Sequence, residues 1–119
     1  LLKPELDNIN NIRIQEGGLY SDHYGVAGRV DCIADYKNVL SVIDFKTSRQ
    51  EKKEEWIENY FIQGSAYCEM YEERFNQPVE QVVILVVTED GAVQTFKKSK
   101  HDYLPLLQSA IKEFNEENN

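Results

Sequence analysis

Leu40-Ser41-Val42-Ile43-Asp44-Phe45-Lys46-Thr47 starts as an apolar strand and finishes on a carboxylate and an ammonium two residues apart. Side chains two apart on a strand project from the same face. An acid and a lysine at the end of a hydrophobic strand cost desolvation unless something uses them. Thirteen residues before Asp44, the stretch Gly28-Arg29-Val30-Asp31 carries a second acid. If the two strands are neighbours, Asp31 and Asp44 converge with Lys46 beside them. Two carboxylates and a lysine make a site for a hard divalent cation, with a partner for an attacking water. A plain Asp44–Lys46 salt bridge is the other reading of the pair, and it leaves Asp31 unexplained.

The whole chain narrows the choice. Its 119 residues hold one domain and one core. A composition of 41% hydrophobic and 29% charged residues is that of a soluble globular protein. No apolar run approaches the roughly 20 residues of a membrane span, and no signal-peptide pattern opens the sequence. Cys32 and Cys68 are the only cysteines, too few for a disulfide scaffold or a four-cysteine metal site. Both fall in strongly patterned segments and read as small buried residues in a reducing compartment.

A net charge of −8 argues against simple coating of nucleic acid, which needs clustered cations. Distribution says more than the sum. Lys46, Arg49, Lys52 and Lys53 share eight residues with one acid, Glu51, and Lys97, Lys98, Lys100 and His101 form a second basic cluster. Each is by itself a solvated face. Beside a carboxylate site, each is also a phosphate-lined approach.

Periodicity sets out the elements. Ile12 to Glu16 alternates until Gly17-Gly18 breaks it, predicting a short strand and a turn. Tyr24 to Tyr36 alternates again, with Asp31 on the more polar face. Tyr36-Lys37-Asn38 is a turn, and Val39 to Lys46 reads as a strand buried on both faces. After the polar connector Thr47–Lys53, Glu54–Phe75 is helical, with Ile57, Phe61, Ala66 or Tyr67, Met70 and Tyr71 facing the core. Val82–Val87 is a central strand, Glu89-Asp90-Gly91 a hairpin turn and Ala92–Lys98 a more exposed strand. Leu104–Phe114 closes the chain as an amphipathic helix. The order is β-β-β-α-β-β-α, an α/β arrangement on a mixed sheet.

Three elements then line up in sequence: Gly28-x-x-Asp31, Asp44-x-Lys46 and Gln63-x-x-x-Tyr67. Gln63 and Tyr67 share a helix face, where their amide and phenol can bond to phosphate or hold the lysine. This set resembles the PD-(D/E)XK nuclease superfamily, within it the RecB-like exonuclease branch, and there phage exonucleases related to a mitochondrial genome maintenance exonuclease. The resemblance runs from about Ile12 to Phe96. It implies a restriction-endonuclease-like core and a DNA exonuclease of phage recombination, repair or replication, cytoplasmic in a bacterial host.

By the same resemblance, Asp31 and Asp44 bind Mg2+ or Mn2+ with the main-chain carbonyl of Phe45, and Lys46 orients or deprotonates the attacking water. Gln63 and Tyr67 complete the catalytic set. Arg49, Lys52 and Lys53 are placed near the substrate entrance as contacts to DNA phosphates. Trp56 and Tyr60 flank the helix and can stack on bases, Trp56 being the better candidate, while Tyr60 and Phe61 read at least as well as core. Glu16, ending the first strand, is a further metal-ligand candidate beside its plainer reading as a solvent-facing strand end. The sequence departs from the family in one respect: the core helix expected before the first strand is missing, and His23 and His101 fall where no motif needs a histidine. The expectation is therefore a single, N-terminally incomplete domain over 1–119. Its alternative is a non-catalytic or split nuclease-fold module that takes an upstream helix from elsewhere or from a partner chain.

Overall fold

Two β-branched strands form the centre of the molecule, because runs such as Val-Ile and Val-Val-Ile-Leu-Val-Val can be buried on both faces of a sheet. The computed structural model describes residues 7–21 and 26–117, with the backbone alone described at 14–21, 26–31 and 114–117. His23 and Tyr24 lie outside the described residues. The strands are β1 (Ile9–Ser21), β2 (Val26–Tyr36), β3 (Val39–Ser48), β4 (Gln81–Thr88) and β5 (Val93–Ser99). A 3-10 turn at Glu54–Ile57 leads into α1 (Glu58–Phe75), and a second at Lys100–Asp102 precedes α2 (Leu104–Glu117). Among the described residues, no helix is long and apolar enough to cross a membrane.

The sheet order is β1-β2-β3-β4-β5. The first three strands form an antiparallel meander, β3 and β4 run parallel, and β5 returns antiparallel to β4. This is the mixed α/β sheet expected, with α1 in the crossover that a parallel pair requires. Lys37 and Asn38 both have positive φ, 48° and 69°, so a two-residue turn joins β2 to β3. α1 ends where Asn76 turns left-handed at φ 53° and its N–H donates to the Glu72 carbonyl at 2.8 Å.

Several boundaries differ from the sequence reading. β1 is longer than expected and does not break at Gly17-Gly18, since those residues lie opposite Val30 and Arg29 in a continuing ladder. Pairing with β2 outweighs the weak strand preference of glycine. A register shift between Asn10 and Ile14 lets the long strand follow its partner, and the Asn11 amide donates to the Asp35 carboxylate at 2.8 Å. α1 begins at Glu58 rather than Glu54.

The core has two sides. Ile33, Val42, Val82, Ile84 and Val86 pack with Ile57, Phe61, Ala66, Met70 and Tyr71 beneath α1, while Cys32, Ala34, Tyr36, Ile43, Val83 and Leu85 form a cluster on the opposite face. α1 buries more than the predicted stripe, adding Gly64, Ser65 and Cys68. Both cysteines are buried thiols outside any disulfide, as expected, and burial pushes the Cys68 thiol up to about 12, so it stays protonated and unreactive.

Acids of the same domain meet most of the C-terminal basic cluster. Lys98 pairs with Glu54 at 3.0 Å and His101 lies 3.6 Å from Glu80. Lys100 is buried, 2.6 Å from Glu72 and 3.7 Å from Glu69. Burial alone would lower its pKa, but the Glu72 hydrogen bond and the two carboxylates outweigh it and raise the pKa above the usual lysine value.

α1 comes close to β4 at Gly64, where an added Cβ would overlap Val82 Cγ1. A branched valine on a central strand cannot swing away. Gly64→Ala is therefore expected to destabilise the fold by about 1–3 kcal/mol. Urea denaturation checks it, and an unchanged midpoint would mean that α1 is not held this close.

Candidate active site

β3 alternates between the two cores, and that alternation builds the site. Ile43 and Phe45 point to the face opposite α1, while Val42 packs under the helix. Asp44 and Lys46, in step with Val42, therefore project on the α1 side. Lys46 Nζ lies 3.2 Å from Asp44 Oδ2, with the aspartate side chain 17% and the lysine side chain 32% exposed. The ammonium also lies over the Tyr60 ring, 4.6 Å from its centroid. A carboxylate and an aromatic face thus hold one cation from two directions.

The backbone register shows what stands beside this pair. Cys32 of β2 lies opposite Ile43 of β3, so the next position on each strand sets Asp31 abreast of Asp44. Gln15 and Gly17 of β1 lie opposite Cys32 and Val30, which puts Glu16 abreast of Asp31. Three acidic positions, 16, 31 and 44, thus share one rung across three strands. The side chains of Glu16 and Asp31 lie outside the described residues. The β3–β4 ladder continues past this rung to Ser48–Thr88, and β1–β2 to Ser21–Val26.

On the helix, Gln63 and Tyr67 meet: the amide Nε2 donates to the Tyr67 hydroxyl at 3.1 Å. Tyr60, Gln63 and Tyr67 recur at three- and four-residue intervals and form one flank of α1. Tyr60, which the sequence offers both as a base-stacking ring and as core, packs at the edge of the core and covers Lys46. Its signal was its position, three residues before Gln63 on the helix that covers the Asp-x-Lys strand. Phe61, its neighbour, is core, stacked on Tyr103 at 5.2 Å between centroids.

The connector residues separate into two groups. Arg49 is 90% exposed and 3.9 Å from Glu89, an ion pair that adds little in water. Lys52 is half-buried, and its main chain is bonded to the side-chain amide of Gln94. Lys53 Nζ lies over the Trp56 ring at 5.3 Å, and Trp56 is 61% exposed.

The donor set fits a hard cation. The acidic rung offers carboxylate oxygen and no histidine or thiolate, which suits Mg2+ or Mn2+ rather than a softer ion. Among the described residues, no three acidic, histidine or cysteine side chains form a metal cluster. Asp44 is the member of the rung whose side chain is described.

Comparison with known proteins shows the family of the chain. Residues 5–118 match the model of the PD-(D/E)XK nuclease superfamily, and the chain belongs to that superfamily. Over 92 residues it is 32% identical to mitochondrial genome maintenance exonuclease 1 of Xenopus tropicalis and 29% identical to that of Homo sapiens. The match takes in 73% of this chain and 26% of each relative, so the chain spans about a quarter of their length. A solved structure from Eubacterium rectale, named as a putative exonuclease, superposes with a TM-score of 0.61 at 11% identity, over 93% of this chain and 45% of that one. At that identity the likeness shows the shared restriction-endonuclease-like fold.

Trp56 is the single tryptophan, so its fluorescence reports the connector directly. Its emission is expected to be that of a water-exposed indole, readily quenched by acrylamide. A blue-shifted, protected spectrum would contradict the exposed Lys53–Trp56 arrangement.

Proposed function

We propose that this domain is a metal-dependent deoxyribonuclease that removes nucleotides from DNA ends. The observation that carries the proposal is the Asp44–Lys46 pair on the acidic rung, capped by Tyr60, in a chain of the PD-(D/E)XK superfamily. The exonuclease character draws support from the names of its relatives and from the Gln63-x-x-x-Tyr67 pair.

In this reading Asp31 and Asp44 hold Mg2+ or Mn2+ with the Phe45 main-chain carbonyl, and Glu16 is placed on the same rung to assist. The bound cation supplies charge that polarises the scissile phosphate and acidifies water. Lys46 orients the attacking water and offsets negative charge developing on the phosphate oxygens. Asp44 holds the Lys46 ammonium in place, and Tyr60 keeps it from swinging out along its flexible stem. Gln63 and Tyr67 offer an amide and a phenol to the phosphate on the same flank. Arg49, Lys52 and Lys53 line the approach for neighbouring phosphates, and Trp56 offers a stacking face. The biological setting that goes with the resemblance is phage DNA recombination, repair or replication in a bacterial cytoplasm.

End-labelled linear DNA and a closed circle, each incubated with Mg2+ or Mn2+, test the reading. Linear DNA is expected to lose nucleotides from its ends while the circle persists. Asp44→Ala and Lys46→Ala should each reduce release by about 100-fold or more. Tyr60→Leu should lower turnover by about five- to tenfold and Tyr60→Phe should restore it, because the ring face, not the hydroxyl, meets the ammonium. A cut circle would make the domain an endonuclease. An inert chain that still binds metal or DNA would make it a module dependent on an upstream helix or partner.

A further inference from the structure

Lys52 lies in the connector between the catalytic strand and the helix above it, and one side chain satisfies both of its main-chain groups. The Lys52 N–H donates to Gln94 Oε1 at 2.7 Å, and Gln94 Nε2 donates to the Lys52 carbonyl at 2.8 Å. A primary amide has one acceptor and one donor edge, so Gln94 imitates a partner strand for a single residue. Forty-two residues separate the two.

Gln94 does not act by itself. Along β5, Gln94, Phe96 and Lys98 lie opposite Val86, Ile84 and Val82, which are core residues of the α1 face. Phe96 meets the Phe61 ring edge-on at 6.5 Å, and Lys98 pairs with Glu54 at 3.0 Å. Alternate residues of one edge strand thus fasten the chain at Lys52, Glu54 and Phe61. Between and beside these points stand Lys53, Trp56 and Tyr60. The connector is rich in polar and charged residues and has no regular ladder of its own, so it would otherwise sample many conformations.

We propose that Gln94 is a positioning residue for nucleic-acid binding: by clamping the Lys52 main chain it fixes the connector so that Arg49, Lys53 and Trp56 meet the substrate as a preformed surface. This rests on the nuclease reading given above. A preorganised surface loses less conformational freedom on binding than a mobile one, so its effect falls on affinity and not on the chemical step.

Two experiments on the intact chain test it. Trypsin cuts after arginine and lysine, and Arg49, Lys52 and Lys53 are in the clamped segment. In Gln94→Leu, mass spectrometry should find cleavage at these residues about tenfold faster than in the wild type, with little change in melting temperature. Gln94→Glu retains the acceptor but sets a carboxylate against the Lys52 carbonyl, and should behave in the same way without a cavity. In the Lys46→Ala background, anisotropy of a fluorescein-labelled single-stranded or duplex oligonucleotide should show Kd raised about fivefold or more by either Gln94 change. In active protein the rise should appear in KM, with kcat nearly unchanged. Unchanged trypsin cutting, or unchanged Kd in a protein that does bind, would overturn the proposal. A wild-type chain that neither binds nor cuts any oligonucleotide would overturn the nuclease reading and, with it, the binding role of Gln94. The trypsin result would still show whether the clamp exists.

Discussion

β3 has an antiparallel neighbour on one side and a parallel neighbour on the other, and the rest of the structure depends on how these two ladders hold it. The parallel ladder to β4 holds the strand rigid through Ser48. The antiparallel ladder to β2 fixes its register on the other flank, with Cys32 opposite Ile43. Asp44 is the next residue. It is anchored through the β4 ladder, and its side chain projects on the α1 side. Lys46, two residues on, must share its face because the strand is extended.

Such a site has to be electrostatically tolerable before substrate arrives. Asp44 and Lys46 compensate one another at 3.2 Å while both retain contact with water, so neither charge is left buried and unpaired. Tyr60 adds an apolar face with a negative quadrupole, which limits the ammonium without consuming its hydrogen-bond donors. The helix that brings Tyr60 there can lie close because residue 64 is glycine, so the Gln63-Gly64-Ser65-Ala66-Tyr67 segment both seats the helix and presents its polar flank. At the far end of the same helix, Glu69 and Glu72 are drawn inward by buried Lys100. One long helix is thus fixed against the sheet by packing at its middle and by charge toward its end.

Most of this architecture was legible in the sequence. The β-branched runs of β3 and β4, the turn residues Lys37-Asn38 and Asn76, and the helical period of α1 are local signals that the packed structure reinforces. The Asp-x-Lys pair was legible because period-two geometry needs no tertiary information. Strand lengths were less so: Gly17-Gly18 looks like a break until a partner strand supplies the hydrogen bonds. The basic cluster Lys97–His101 looked like a solvated or phosphate-lined face, because nothing local to it announces Glu54, Glu72 or Glu80 as partners. The Tyr60–Lys46 contact and the part played by Gln94 were hidden for the same reason. Their roles come from residues 14 and 42 positions away, distances at which sequence patterning carries no message.

The central claim is that the rung at positions 31 and 44 forms a cation site, and Mn2+ binding tests it most directly. Calorimetric titration of the wild-type chain should show saturable binding of Mn2+, competed by Mg2+ and abolished or greatly weakened in both Asp44→Ala and Asp31→Ala. Binding that survives both substitutions, or no binding in a folded wild-type chain, would contradict the assignment of the acidic rung as the metal centre.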